Sequence, residues 1–205
     1  PVLALSLLWA LVACGRGGGV AQGSAGPPDS AESVSASASP TSDLPADQAA
    51  EREAALAMPA PQRPENMDEN SSEGAIATAT YVVQLYPYVY ATGDLEQWKA
   101  MSQQDCLFCI SVITNVGKLH EAGGWISPWT HTITRTDYLD PGPDSEYSQV
   151  DVVFDQETSY SYDGTGAPPD VSEPATGTLL MLAMKYVDGH WAIREGQVEQ
   201  EEQSE

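Results

Sequence analysis

The spacing of apolar and polar positions changes character several times along the chain. Residues 2–13 (VLALSLLWALVA) are one unbroken apolar run. Such a run is too short to cross roughly 30 Å of hydrocarbon as a helix, but it suits the apolar region of a signal peptide. Over residues 15–63 the composition is dominated by Gly, Ala, Ser, Pro, Asp and Glu, with almost no aromatic residues. A segment so poor in buriable surface cannot offset the entropy of ordering its chain, so a disordered spacer is predicted. Inside it, residues 44–58 (LPADQAAEREAALAM) are good helix formers and are predicted to be transiently helical.

From residue 64 the pattern becomes helical. Ser71 or Ser72 can cap a helix whose apolar positions Ile76, Ala79, Val83, Tyr86 and Tyr90 recur at helical spacing, with Pro87 expected to kink or shorten it. Gly93 suits a left-handed helix end, and Asp94 then caps a short second helix with Leu95, Trp98 and Met101 inward. A third helix is predicted over residues 105–122, with Asp105 as N-cap and Cys106, Cys109, Ile110, Ile113, Val116 and His120 near one face. Gly123 and Gly124 end it.

Beyond Gly124 the period falls to two. Residues 129–138 carry threonines at every second position (130, 132, 134, 136), which predicts one polar strand face. Residues 147–157 set Val150, Val152 and Phe154 against Gln149, Asp151 and Asp155. Residues 160–176 read as a Gly, Pro and Asp-rich loop. Residues 178–187 (TLLMLAMKYV) are apolar on both faces and should lie centrally in a sheet. Asp188-Gly189 is a two-residue hairpin signal, after which residues 190–198 return with Trp191 and Ile193 on one face. Residues 199–205 are an acidic tail, expected to fray. Three helices packed on a curved four-stranded antiparallel sheet make an α+β fold.

Charge and cysteine usage add the surroundings. The net charge is -22, of which -19 falls on residues 64–205. Such a surface repels nucleic-acid phosphates and anionic lipid headgroups, and its simplest role is to keep the domain soluble. The segment Leu11-Val12-Ala13-Cys14-Gly15, closing the apolar run, resembles a bacterial lipobox. The resemblance implies cleavage before Cys14, lipidation of that cysteine, and attachment to the outer face of the cytoplasmic membrane. Residues 1–13 are then a lipoprotein signal peptide, clipped at its start because neither Met nor a basic region precedes the run, and residues 14–63 are the lipidated residue and its spacer. About 50 residues of flexible coil reach roughly 40 Å r.m.s.. The two cysteines left over, Cys106 and Cys109, are expected to pair in an exported protein.

The hairpin Tyr-Val-Asp-Gly-His-Trp-x-Ile at residues 186–193, following three helices, is similar to the NTF2-like cone fold. Together with Arg63-Pro64-Glu65, Glu73-Gly74-Ala75, Tyr90-x-x-Gly93-Asp94, Cys106-x-x-Cys109, Gly123-Gly124 and the lipobox, it resembles an uncharacterised actinobacterial lipoprotein family of unknown function. The resemblance covers residues 64–198 and implies fold and anchoring; it brings no catalytic residues.

Chemistry-bearing residues are few. A Cys-x-x-Cys at a helix start is also the local arrangement of thiol–disulfide proteins, although the chain order is not theirs. A zinc site would need two further ligands that no second Cys pair or paired His supplies. His120, His131 and His190 stand in no catalytic motif, and His120 sits at a helix end where a cation is favoured. Asp137, Asp140, Asp144 and Glu146 could offer oxygens to calcium but lack the spacing of a calcium loop. No metal and no cofactor is expected. Tyr81, Trp98, Trp125, Trp129 and Trp191 are candidates to line a cone pocket, with Trp125 and Trp129 near its entrance. The expected function is therefore a non-catalytic binding or interaction module for a small apolar ligand or a cell-envelope protein. The alternatives are an isomerase or hydrolase using the cone pocket, and a thiol–disulfide protein using Cys106 and Cys109.

Overall fold

The computed structural model describes residues 44–200. Four helices come first: α1 (Ala46–Leu56), α2 (Ser72–Thr92), α3 (Glu96–Met101) and α4 (Leu107–Glu121). Seven strands follow: β1 (Trp125–Ile126), β2 (His131–Leu139), β3 (Ser148–Gln156), β4 (Ser159–Tyr162), β5 (Asp170–Ser172), β6 (Ala175–Val187) and β7 (His190–Gln200). β2, β3, β6 and β7 form an antiparallel sheet in that order, and β1, β4 and β5 form a second, small one. The α+β cone is thus as expected, with helices packed across the inner face of the four-stranded sheet.

The main core lies between α2, α3 and α4 and that sheet. Val82, Leu85, Val89, Trp98 and Val116 meet Val150, Val152, Leu182, Met184 and Ile193, all buried. β6 is central, between β3 and β7, as its apolar faces require. Asp188 and Gly189 both take positive φ in the turn joining β6 to β7.

The α2 helix starts as expected, Ser71 Oγ accepting the Gly74 amide at 3.1 Å. Gly74 is required sterically: a Cβ there would run into the carbonyl oxygen of Glu69 in the preceding loop. Pro87 does not end the helix, which continues to Thr92 and caps at Gly93 with φ 78°. Asp94 accepts the Glu96 amide at 3.0 Å, although the residue at the N-cap of α3 is Leu95.

Several expectations are corrected. Residues 44–63 are not the end of a disordered spacer: α1 packs on the domain, with Ala55 fully buried and Gln48 donating to the carbonyls of Gly166 and Ala167. Its partners, Trp125, Ala91 and Tyr162, form a second apolar cluster distant in sequence, so composition alone could not reveal it. Four helices therefore replace three among the described residues. The N-cap of α4 is Cys106, whose Sγ accepts the Cys109 amide at 3.1 Å, while Asp105 pairs with Arg194 at 3.1 Å. The threonines of β2 do not share one face, because an irregularity between Ile133 and Arg135 shifts the register and turns Thr136 inward opposite Val152. The predicted loop over residues 160–176 holds most of β4, all of β5 and the start of β6. β7 extends two residues past 198, pairing as far as Gln200.

Candidate functional site

The curved sheet and the helices leave one aromatic cleft of about 190 Å³. Its walls come from α2 (Val82, Val83, Tyr86, Tyr90), α3 (Trp98), α4 (Phe108, Val112) and the inner sheet face (His131, Phe154, Gln156, Leu180). Ser111, Asn115 and Val198, all exposed, lie at its mouth. Tyr86 is the hub of the rings: its centroid lies 4.8 Å from Tyr90, 6.1 Å from Trp98 and 6.1 Å from His131. Phe108 lies 5.8 Å from Trp98, and Phe154 4.5 Å from His131. Among the described residues no Asp, Glu, Lys, Arg or Cys lines the cleft.

His131 owes its setting to Pro87. A proline has no N–H, so the carbonyl four residues earlier in the helix, that of Val83, loses its usual donor. His131 Nδ1 fills the gap at 2.9 Å. A carbonyl can only accept, so Nδ1 carries the proton; Trp129 Nε1–H, which can only donate, reaches Nε2 at 3.1 Å. Both ring nitrogens are thereby engaged in the neutral form. Burial pushes the His131 pKa down, against the smaller upward pull of the Val83 carbonyl and the Gln156 side chain. Burial also pushes the Tyr86 phenol well above its ordinary value, with neighbouring Tyr90 adding to it.

His120 braces the other end of α2. Its Nε2 lies 3.0 Å from the Tyr90 carbonyl, and its ring packs on Gly93, where a Cβ would come within 3.0 Å. The expectation of a favoured cation is reversed, since burial lowers its pKa more than the Tyr90 carbonyl raises it, and the charge of Arg52 lowers it further. His190 lies at a separate surface pocket with Arg63, Asp68 and Trp191.

Of the residues expected to line a pocket, Trp98 alone is in the cleft wall. Trp129 stands behind it, packed edge-on to Tyr86 at 6.3 Å. Tyr81 is buried in the core. Trp125 stacks on Tyr162 at 4.7 Å in the second apolar cluster. Trp191 donates to the Glu69 carbonyl at 2.9 Å and holds the loop before α2. Sequence reasoning missed Tyr86, Tyr90, Phe108 and His131 as a set. The signal was there in Pro87 and in the helical pair Tyr86 and Tyr90, but not the curvature that brings them to Phe108 and His131.

Cys106 and Cys109 form a disulfide, with Cα atoms 5.2 Å apart and both residues fully buried. Thiol–disulfide exchange needs access to a sulfur, which this burial denies. Its role here is to start α4. The N-terminal turn is pinned further by Glu195, which accepts the Phe108 amide at 3.1 Å, and by Gly196, against which the Phe108 ring lies. Two of the acidic residues considered for calcium are engaged by cationic side chains: Asp137 pairs with Arg135 and Glu146 with Lys185. Among the described residues no group of His, Cys, Asp and Glu is arranged to hold a metal ion, and no helix is long and apolar enough to cross a membrane. Cys14 lies outside the described residues.

A family profile matches residues 46–197, from the start of α1 nearly to the end of β7. The chain belongs to DUF6318, a family of unknown function. The match takes in α1, in agreement with a domain that begins before residue 64. None of the curated proteins matches the sequence. Among solved structures, the chain is similar to the intermembrane space region of the chloroplast protein ARC6, at 10% identity and TM-score 0.49, over 62% of this chain and 95% of that one. It is also similar to ActVI-ORFA from Streptomyces coelicolor, at 12% identity and TM-score 0.40, over 64% and 98%. An uncharacterised protein with a cystatin-like fold from Caulobacter vibrioides is similar at 11% identity and TM-score 0.38, over 62% and 89%.

Proposed function

We propose that this DUF6318 protein is an extracytoplasmic lipoprotein, anchored through Cys14, whose cone domain is a non-catalytic binding module for a small, non-anionic guest. The observation that carries the binding reading is the ring-lined cleft of about 190 Å³ without a formal charge in its wall. An apolar cavity of about 150 Å³ is enough to take benzene, so this one suits a single ring or a group of that size, with polar substituents facing Asn115 and Ser111. That is smaller than the lipid or steroid scale often associated with open pockets. The acidic surface disfavours anionic guests on approach.

A non-catalytic role is supported by the state of the cleft's polar groups. General acid–base chemistry needs a group free to exchange a proton at the reacting atom. Both nitrogens of His131 are already committed, and the Tyr86 phenol is pushed away from the neutral range.

Intrinsic tryptophan fluorescence, titrated with phenol, choline and benzoate, tests the binding reading. A saturable response to phenol or choline, with none to benzoate, is expected. A flat response to all three removes the module. The anchor is tested by fractionating cells expressing the full precursor with Cys14→Ser. The variant is expected in the soluble fraction, and continued membrane attachment would contradict the lipid anchor.

A further inference from the structure

Resting on the binding reading above, we propose that the guest is a small organic cation whose charged head is a methylated ammonium. Three observations converge on that chemistry. First, the cleft is walled by Tyr86, Tyr90, Trp98, Phe108 and Phe154. The rings stand at angles of 43° (Tyr86 and Tyr90), 62° (Tyr86 and Trp98) and 50° (Trp98 and Phe108), and one face of Tyr86 stacks on His131 at 27°, so the wall offers a guest a mixture of ring faces and edges from several directions. Such faces attract a cation through the ring quadrupole, and most strongly when it is desolvated.

Second, among the described residues no cationic side chain stands in the wall to compete for the rings, and no carboxylate stands there to demand a hydrogen-bonding ammonium. A quaternary head donates no hydrogen bonds, so it loses none on entering an aromatic cleft. Among the described residues the one imidazole in the wall is His131, whose Nε2 accepts the Trp129 indole N–H and so has no lone pair left for a second proton; it puts no positive charge beside the guest. Third, the chain that carries this cleft has a net charge of -22. Such a field raises the local concentration of cations and depletes anions. A neutral guest would use the rings but gain nothing from the field.

The test compares choline with its uncharged carbon isostere, 3,3-dimethyl-1-butanol, on the mature full-length protein carrying Cys14→Ser, by calorimetry at low and high salt. Shape and apolar area are matched, so the difference isolates the charge. Choline is expected to bind about tenfold or more tightly. Its affinity should fall with salt, while that of the alcohol should not. Replacing Tyr86 or, in a second variant, Phe108 with leucine keeps apolar bulk but removes a ring. Each variant is expected to weaken choline more than the alcohol, with thermal melting confirming that it is folded. Equal or tighter binding of the alcohol overturns the cationic guest while leaving the cleft a binding site. Binding of neither compound, nor of phenol, removes the cleft itself.

Discussion

At the residue scale, Pro87, Val83, His131 and Trp129 form one chain of consequence. The proline frees a carbonyl, the imidazole satisfies it, and the indole fixes the other ring nitrogen. A buried carbonyl left without a donor costs about 1–3 kcal/mol. His131→Phe is accordingly expected to lower stability by about that amount, measured by chemical denaturation. The same arrangement has a pH signature. The pKa values of His131 and His120 are both lowered in the fold, so the unfolded chain takes up protons first as the pH falls. Their contribution is complete above about pH 6.5 and is lost progressively below it. His131→Asn places an amide N–H where Nδ1–H stood but does not titrate. Between pH 7.5 and 5.5 the wild type should lose stability relative to this variant, whereas parallel melting curves would contradict the neutral imidazole. Comparing the two cancels the effect of acid on the shared carboxylates.

At the element scale, the start of α4 joins fold to cleft. The disulfide caps the helix, Glu195 accepts the Phe108 amide, and Phe108 rests on Gly196. A Cβ at position 196 would come within 2.5 Å of the Phe108 ring. Gly196→Ala should therefore cost about 1–3 kcal/mol and displace a cleft wall, read as a lower Tm together with weaker guest binding. Replacing both Cys106 and Cys109 with serine closes no loop and should cost about 2 kcal/mol, with the chain still folding. Loss of all cooperative unfolding would show that the bridge holds more than one helix end. Elements with a sustained period were legible from the sequence: α2, α4, β3, β6 and β7 stand close to where the apolar spacing puts them. The failures have physical causes. β1, β4 and β5 have two to four residues each, too few to display a period. The register shift in β2 breaks an alternation that looked continuous. α1 looks like spacer because the surface that stabilises it, Trp125 and Tyr162, arrives much later in the chain. A chain starting at Pro59 should consequently fold around its main core but melt at a lower temperature, with Trp125 more exposed to quenchers.

At the scale of the whole molecule, a chain of net charge -22 carries a cleft whose wall, among the described residues, holds no formal charge. The α+β cone was legible in the order of helical and alternating patterns, and the pairing of Cys106 with Cys109 in their spacing. The cleft was legible only in part. Aromatic residues are visible in the sequence, but which of them share a space depends on sheet curvature and on the crossing of α2, α3 and α4. That is why Trp125 and Trp191, with large rings on plausible strands, serve other clusters, while Tyr86 and Phe108 form the wall. The central claim, a small non-anionic guest in this cleft, is most directly tested by amide and indole chemical-shift mapping of the mature Cys14→Ser protein titrated with choline and with phenol. Saturable shifts centred on Trp98, Phe108, Ser111 and His131 are predicted for at least one of them. The absence of saturable shifts, or shifts centred on Trp191 and His190, would contradict it.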